Sequence, residues 1–353
     1  MAVVDWDLAQ SVAVRAAGRD PFAASYHYSS LNRDFAELTE LAESQVSETT
    51  GLHSLSGHAR GRVTDRAGWI RANIASFQRL LRPITDRLES SVSGPLTPIT
   101  SRIAGAEVGV VLGWMSKRVL GQYDLLVIED ENPEDQDIVY YVGPNILALE
   151  KKFAFPPREF RHWIALHEVT HRAQFTGIPW MREHFLGLVQ ATVESVDPDP
   201  QRFLDALGRL TKDLRGGRNP LDDGGLAAVF ASDEQRGVLD QVAGLMSLLE
   251  GHGDVTMDRA GADQIPNAER FGRVLRQRRQ QANPVAKLLQ QLIGLDAKLK
   301  QYAEGELFIE AVEDEGGVEL LDHAWIGPEN LPSIDEIRDP EAWITRIRSS
   351  VAA

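Results

Sequence analysis

The sequence predicts a mainly α-helical protein of the α+β class, with one small β-sheet beside a central helix. Three observations support this prediction. Apolar residues recur at helical spacing in the first hundred residues, as in Leu31 to Thr49 and Asp65 to Ser90. Short runs rich in β-branched and aromatic residues follow near the middle of the chain. Long helical patterns then resume from Asp233 onward, so we expect extended helical regions at both ends.

The individual elements follow in chain order. The further predicted helices are Ala104 to Leu120, Arg158 to Phe175, Arg202 to Leu214, Asp233 to Asp258, Asn267 to Ala282, Val285 to Val312 and Pro340 to Val351. The predicted strands are Asp124 to Ile128 and Asp137 to Val142, with a third candidate at Ile146 to Leu149. Tyr140 to Leu149 is either a sheet edge, which could pair with an extended peptide, or an interior strand.

Composition and charge restrict the classes of function. With 353 residues the chain can bury a sizeable core, and we predict a helical N-terminal region at 1–100 followed by a domain at 101–353, unless both form one compact unit. The net charge of −15 argues against nucleic-acid or anionic-membrane partners, since both require basic surface. The absence of cysteine excludes disulfides and thiolate chemistry. No secretory signal or spanning segment is evident, so the expected location is cytoplasmic.

One motif, His167-Glu168-Val169-Thr170-His171, carries most of the functional information. On a helix, positions i and i+4 lie on the same face, so both imidazoles can reach one cation. Glu168 is rotated away from His167, close enough to hold a water on the metal rather than the metal itself. Pro156-Pro157 before the segment and Gly177 after it are start and stop signals for that helix. The motif therefore predicts a Zn²⁺ site with Glu168 as a catalytic base.

A zinc site of this kind needs a third protein ligand. The extended pattern H-E-x-x-H-x-x-G-x-x-H is excluded, because Gln174 and Gly177 occupy its glycine and third histidine positions. Glu250 is the preferred third ligand, and Asp254, one helical turn later, would accept the N–H of His167. His252 is the rival ligand, although it projects some 200° around the helix from Glu250. Two helix-weakening glycines beside Glu250 suggest that another backbone or a metal site approaches there.

These two motifs together carry a family resemblance. The pairing of His167 to Phe175 with Leu249 to Asp254 resembles the gluzincin branch of zincin metallopeptidases. More narrowly, the chain is similar to a bacterial, mainly actinobacterial, family of zincin-like hydrolases, some of which are linked to deazaflavin coenzyme biosynthesis. The likeness extends through Tyr302 to Phe308 and the stretch from Leu331 to Trp343, and so covers most of the chain. It implies a zincin-like fold and a zinc site.

The leading hypothesis is a soluble zinc-dependent hydrolase that cuts a peptide or other amide bond. Glu168 would take a proton from the attacking water and pass it to the leaving amine. The developing negative charge needs a further donor, for which the candidates are Tyr302, His323, His252 and His184. Tyr302 is preferred only through the resemblance. The alternatives are a catalytically silent zincin-like binding or assembly protein, and a non-peptide amide hydrolase of coenzyme metabolism.

Overall fold

The computed structural model describes residues 4–91, 97–125, 137–194, 233–280 and 295–351. Within these ranges the protein is mainly helical with one three-stranded sheet, which confirms the predicted fold class. The chain divides into two compact units: the first contains Met1–Gly177 and Met257–Phe271, and the second contains Ile178–Thr256 and Gly272–Ala353. The boundary at residue 100 stays a prediction. No helix in the described part of the chain is long and apolar enough to cross a membrane.

The first unit holds the sheet and six helices of the described residues. In chain order its elements are α1 (Trp6–Ala17), α2 (Tyr26–Thr50), β1 (Arg60–Thr64), α3 (Arg66–Ser91), α4 (Thr97–Met115), β2 (Gly121–Tyr123), β3 (Ile138–Val142), α5 (Gly143–Phe153) and α6 (Pro157–Gly177). Small residues let α1 and α4 pack closely. A Cβ at Gly109 would lie 2.5 Å from Ala9 O, and one at Gly113 would lie 2.6 Å from Ala13 O. The glycines of α4 therefore allow the two backbones to approach each other.

The sheet has the order β1-β3-β2, with β3 in the centre. β1 pairs with β3 in parallel, placing Arg60 opposite Ile138, whereas β2 pairs with β3 in antiparallel fashion, placing Tyr123 opposite Val139. Among the strands of the described ranges, β1 and β2 are the outer ones, and the interpretation of Tyr140 as part of a sheet edge is wrong. β2 also lies just before the strand predicted from Asp124, and residues 126–136 are outside the described ranges.

The third candidate strand is wrong, because Ile146 to Leu149 belongs to α5. Pro144 lies in the first turn of α5, where its missing N–H costs no hydrogen bond. Asn145 fixes this turn, since its Nδ2 donates to Ser116 O and Val119 O, both at 2.7 Å. A short apolar run is compatible with either a buried strand or a buried helix, and tertiary contacts decide between them here.

The remaining elements begin with α7 (Met181–Glu194), α8 (Asp233–Gly261) and α9 (Ala268–Gln280). They continue with α10 (Leu295–Leu321), two short 3₁₀ turns, α11 (Ile334–Arg338) and α12 (Pro340–Val351). The last helix confirms the helix predicted from Pro340. Arg202 to Leu214 and residues 285–294 lie outside the described ranges.

In the second unit, α8 and α10 pack at backbone distance. A Cβ at Gly251 would lie 2.3 Å from the carbonyl carbon of Gly305, and one at Gly305 would lie 1.9 Å from Ser247 O. The close approach predicted from the glycines beside Glu250 is therefore confirmed at Gly251. Side chains of the same unit form one apolar cluster around the crossing; it includes Leu248, Phe308, Ile309, Val312, Trp343 and Ile347.

Candidate metal centre

Helix α6 carries the H-E-x-x-H pattern and is buried over most of its length. It runs from Pro157 to Gly177, two residues beyond the end predicted at Phe175. Along this helix Ile164, Leu166 and Val169 are buried, whereas His167 and His171 are only half-buried. The two imidazoles are therefore the residues of the motif that face a less enclosed space.

The two imidazole Nε2 atoms have the separation expected for two ligands of one metal ion. His167 Nε2 and His171 Nε2 lie 3.3 Å apart, and the ring planes are inclined at 83°. Two nitrogen ligands at about 2.05 Å from a tetrahedral zinc ion are separated by about 3.3 Å. The spacing of the two Nε2 atoms is thus that of two ligands of one tetrahedral Zn²⁺.

The predicted third ligand is close to this pair. One ligand atom from each of His167, His171 and Glu250 lies within 4.8 Å of the other two. The Glu250 carboxylate is buried, with 6% of the residue exposed. Two imidazole nitrogens and one carboxylate oxygen form a donor set that zinc accepts in catalytic sites. This group of three could hold a metal ion.

The carboxylate of Glu168 lies against a glycine of the sheet. An ideal Cβ at Gly121 would be 2.5 Å from Glu168 Cγ and 2.6 Å from its Oε1. Glu168 is also buried, with 8% of the residue exposed. Glycine in a strand often marks a close approach, but no strand is predicted at Gly121, so the sequence does not reveal this contact. The first residue of β2 therefore provides the space that the predicted base occupies.

His171 has a partner for its other ring nitrogen. Its Nδ1 lies 3.0 Å from Oε1 of Gln174, a completely buried residue one turn further along α6. From the sequence alone, Gln174 is only evidence against the extended motif, because it occupies the glycine position of that motif. The structure agrees with that exclusion, since α6 continues through Gln174 as far as Gly177.

Arg172, a buried residue of α6, connects this helix to neighbouring elements. Arg172 is 1% exposed and forms a two-point ion pair with Asp137, with Nη2 to Oδ2 at 2.6 Å. The Nη1 atom of Arg172 donates to Glu43 Oε1 at 2.7 Å, and Nη2 also donates to Gly57 O at 2.8 Å. A guanidinium with this many fixed acceptors ties α6 to α2 and to the residue that precedes β3.

Two further residues of α6, Arg161 and His162, bind side chains outside the helix. Arg161 pairs with both carboxylate oxygens of Glu150 at 2.7 and 2.8 Å. His162 Nε2 lies 2.6 Å from Gln45 Oε1. Burial, and to a lesser degree the positive charge of Arg158, lowers the pKa of His162 to about 4. His162 is therefore a neutral structural histidine at pH 7.

The remaining predicted site residues have different surroundings. Asp254 lies one turn beyond Glu250 on α8, and its hydrogen bond with His167 stays a prediction. His252 is not part of the group that could hold a metal; its buried ring meets Trp325 edge-on, with centroids 5.1 Å apart. Tyr302 lies on α10, but its side chain is outside the described part of the structure, so its role stays a prediction.

Two further candidate donors are structurally described. His184 lies on α7 with its ring edge-on to Trp180, at 5.8 Å between centroids, and burial lowers its pKa. His323 lies in the 3₁₀ turn Asp322–Trp325, where its backbone O accepts from Asn330 Nδ2 at 2.9 Å. Neither observation selects one donor, and the assignment stays open.

A small sheet beside an H-E-x-x-H helix, with a carboxylate from a later helix close to both histidines, is the arrangement of a zincin-like protein. The chain belongs to the zincin-like metallopeptidase family, whose family model matches residues 4–344.

A solved structure is also similar to this chain. It is the crystal structure of a proposed hydrolase with a novel fold from Chloroflexus aurantiacus. The two chains share 31% sequence identity with a TM-score of 0.70, and the match covers 98% of this chain and 99% of the other. The comparison with curated proteins gives no match.

Proposed function

We propose that the protein is a zinc-dependent hydrolase of the metallopeptidase type, which cuts an amide bond with Glu168 as general base. The observation that carries this proposal is the group formed by His167, His171 and Glu250, whose ligand atoms lie within 4.8 Å of one another. Membership of the zincin-like metallopeptidase family supports it, as does the likeness to a proposed hydrolase. His167, His171 and Glu250 would hold the ion, and Asp254 would orient His167.

Each side chain of the proposed site has a defined task. A bound Zn²⁺ would polarise the substrate carbonyl and lower the pKa of water toward about 7. Glu168 removes the proton from the attacking water and returns it to the leaving amine. Gly121 leaves the space in which the Glu168 carboxylate lies, so the base is held without a side chain between it and β2. The substrate is a peptide or another amide, including the coenzyme-related amides that the actinobacterial resemblance suggests.

Metal analysis combined with two kinds of variant tests the proposal. Purified protein should contain one zinc per chain, and Glu250→Ala should lose it, because a two-histidine site lacks the third protein ligand. Glu168→Gln should keep the zinc and lose hydrolysis of a peptide and amide library. Glu159→Gln is the matched control on the same helix, since the glutamine oxygen can still accept from Asn267.

The outcomes separate the proposal from its competitor. Stoichiometric zinc in a wild-type protein that hydrolyses no amide would overturn the enzymatic function and favour a zincin-like binding or assembly protein. Full zinc affinity in Glu250→Ala would overturn Glu250 as the third ligand and return the assignment to His252 or another acid.

A further inference from the structure

His171, one of the two proposed histidine ligands, has a hydrogen-bond partner for its Nδ1 atom. Gln174 lies three residues after His171, and residues with this spacing share a helix face. The 3.0 Å separation of His171 Nδ1 and Gln174 Oε1 is that of an N–H···O hydrogen bond. Gln174 is completely buried, so its side chain is held in place by its surroundings.

This hydrogen bond determines which ring nitrogen carries the proton. An amide oxygen can only accept, so Nδ1 of His171 must donate, and the neutral ring then has its lone pair on Nε2. Nε2 is the atom that lies 3.3 Å from His167 Nε2. The unprotonated nitrogen therefore points toward the position that both imidazoles share.

We propose that Gln174 is a positioning residue of the metal centre. It selects the Nδ1–H tautomer of His171 and fixes the ring, so that Nε2 is ready to bind zinc before the ion arrives. This inference rests on the proposed function, because it requires His171 to be a ligand. Partners of this kind orient ligand histidines and typically change metal affinity about 10- to 100-fold when removed.

Gln174 is uncharged, which affects how tightly zinc should bind. A carboxylate in the same place would make the imidazole more basic and the metal bond stronger. Gln174→Glu keeps an acceptor oxygen at the same reach and adds the charge, so zinc should bind it at least as tightly as it binds the wild type. Gln174→Met has a similar length and helix preference but lacks the acceptor, so its zinc affinity should fall about 10- to 100-fold.

The first experiment uses the metal-free protein and needs no activity. Long-range ¹H–¹⁵N spectra of the histidine rings should show His171 with its proton on Nδ1 in the wild type and in Gln174→Glu. In Gln174→Met the ring should shift toward a mixture of tautomers. Gln45→Met is the matched control, because it removes the same type of contact from His162, together with the 3.2 Å bond from Gln45 Nε2 to Ala260 O, and neither partner is a proposed metal ligand.

The second experiment measures zinc affinity by competition with a chelator in the same four proteins. Gln45→Met should stay within about twofold of the wild type, which separates loss of an imidazole–amide contact in general from loss at this site. A wild-type His171 with its proton on Nε2 would overturn the role of Gln174, as would wild-type zinc affinity in Gln174→Met. A wild type that binds no zinc, but keeps the Nδ1–H tautomer, would instead overturn the proposed function.

Discussion

Replacing Gly121 with alanine should abolish most hydrolysis while leaving the fold and the zinc in place. The new Cβ would lie 2.5 Å from Glu168 Cγ and 2.7 Å from Cδ. Ordinary contacts of a Cβ are 3.4 to 4 Å, so the Glu168 side chain must retreat by about 1 Å. The backbone of Gly121 is not in the left-handed region, so alanine itself adds no strain there.

The size of the effect follows from this displacement. A misplacement of about 1 Å in a catalytic group can cost about 100-fold in rate, which corresponds to about 2.7 kcal/mol in the activation free energy. The nearest atom is Cγ of a buried side chain, so most of the Glu168 side chain has to move, and the free energy of unfolding should fall by about 1–3 kcal/mol. The loss of activity should therefore appear in kcat, with a zinc content close to that of the wild type and a lowered unfolding midpoint of a protein that still folds.

A double-mutant cycle identifies the route of this effect. If Gly121 acts through Glu168, adding Gly121→Ala to Glu168→Gln should cause no further loss of hydrolysis. Gly187→Ala is the control, since a Cβ at Gly187 meets no atom within 4 Å and its helix should only be stabilised. Full additivity in the cycle would refute the reasoning, as would an unchanged kcat in Gly121→Ala.

Three further predictions concern stability. The pKa of His162 is near 6.5 in the unfolded chain, whereas burial lowers it to about 4 in the folded protein. As the pH decreases through this window, the unfolded chain binds the proton first, so the unfolding free energy should fall by about 2 kcal/mol. Urea unfolding at pH 7.5 and 4.5 should show a smaller fall in His162→Gln than in the wild type. Arg172→Met should destabilise the protein by about 2–3 kcal/mol, since it leaves the partly buried carboxylates of Glu43 and Asp137 without this partner, and a loss below about 1 kcal/mol in denaturant titrations would contradict this. Gly251→Ala should cost about 1–3 kcal/mol and weaken zinc binding, whereas Gly237→Ala on the same helix, where a Cβ meets nothing within 4 Å, should be neutral or stabilising in thermal melts.

The sequence predicted best what depends on local rules. Pro157 and Gly177 delimit α6 almost as expected, because a proline in the first turn and a glycine at the end act on a helix without help from distant residues. The spacing of His167 and His171 is a property of any α-helix, so their shared face follows from the sequence alone. Glu250 required more, since its proximity to the histidines depends on tertiary structure; the need for a third ligand and the two glycines beside it made it the preferred candidate.

The failures have a common physical cause. Ile146 to Leu149 is an apolar run that suits a strand as well as a helix, and the hydrogen bonds of Asn145 to Ser116 O and Val119 O are tertiary contacts that sequence periodicity does not contain. The same holds for the sheet order, because nothing in β3 itself shows that it has a neighbour on both sides. Strand pairing is set by partners far away in the chain.

Gly121 and Gly251 show why the residues around a site are harder to predict than the ligands. Neither glycine has a Cβ, but the atoms that they approach differ: the side chain of Glu168 at Gly121 and the backbone of Gly305 at Gly251. A side chain can move without the backbone, so alanine at 121 should displace the base while the protein keeps its fold. A backbone neighbour cannot, so alanine at 251 should separate α8 from α10 and shift Glu250 with it. Comparing zinc affinity and kcat in the two variants therefore distinguishes control of the base from control of the metal.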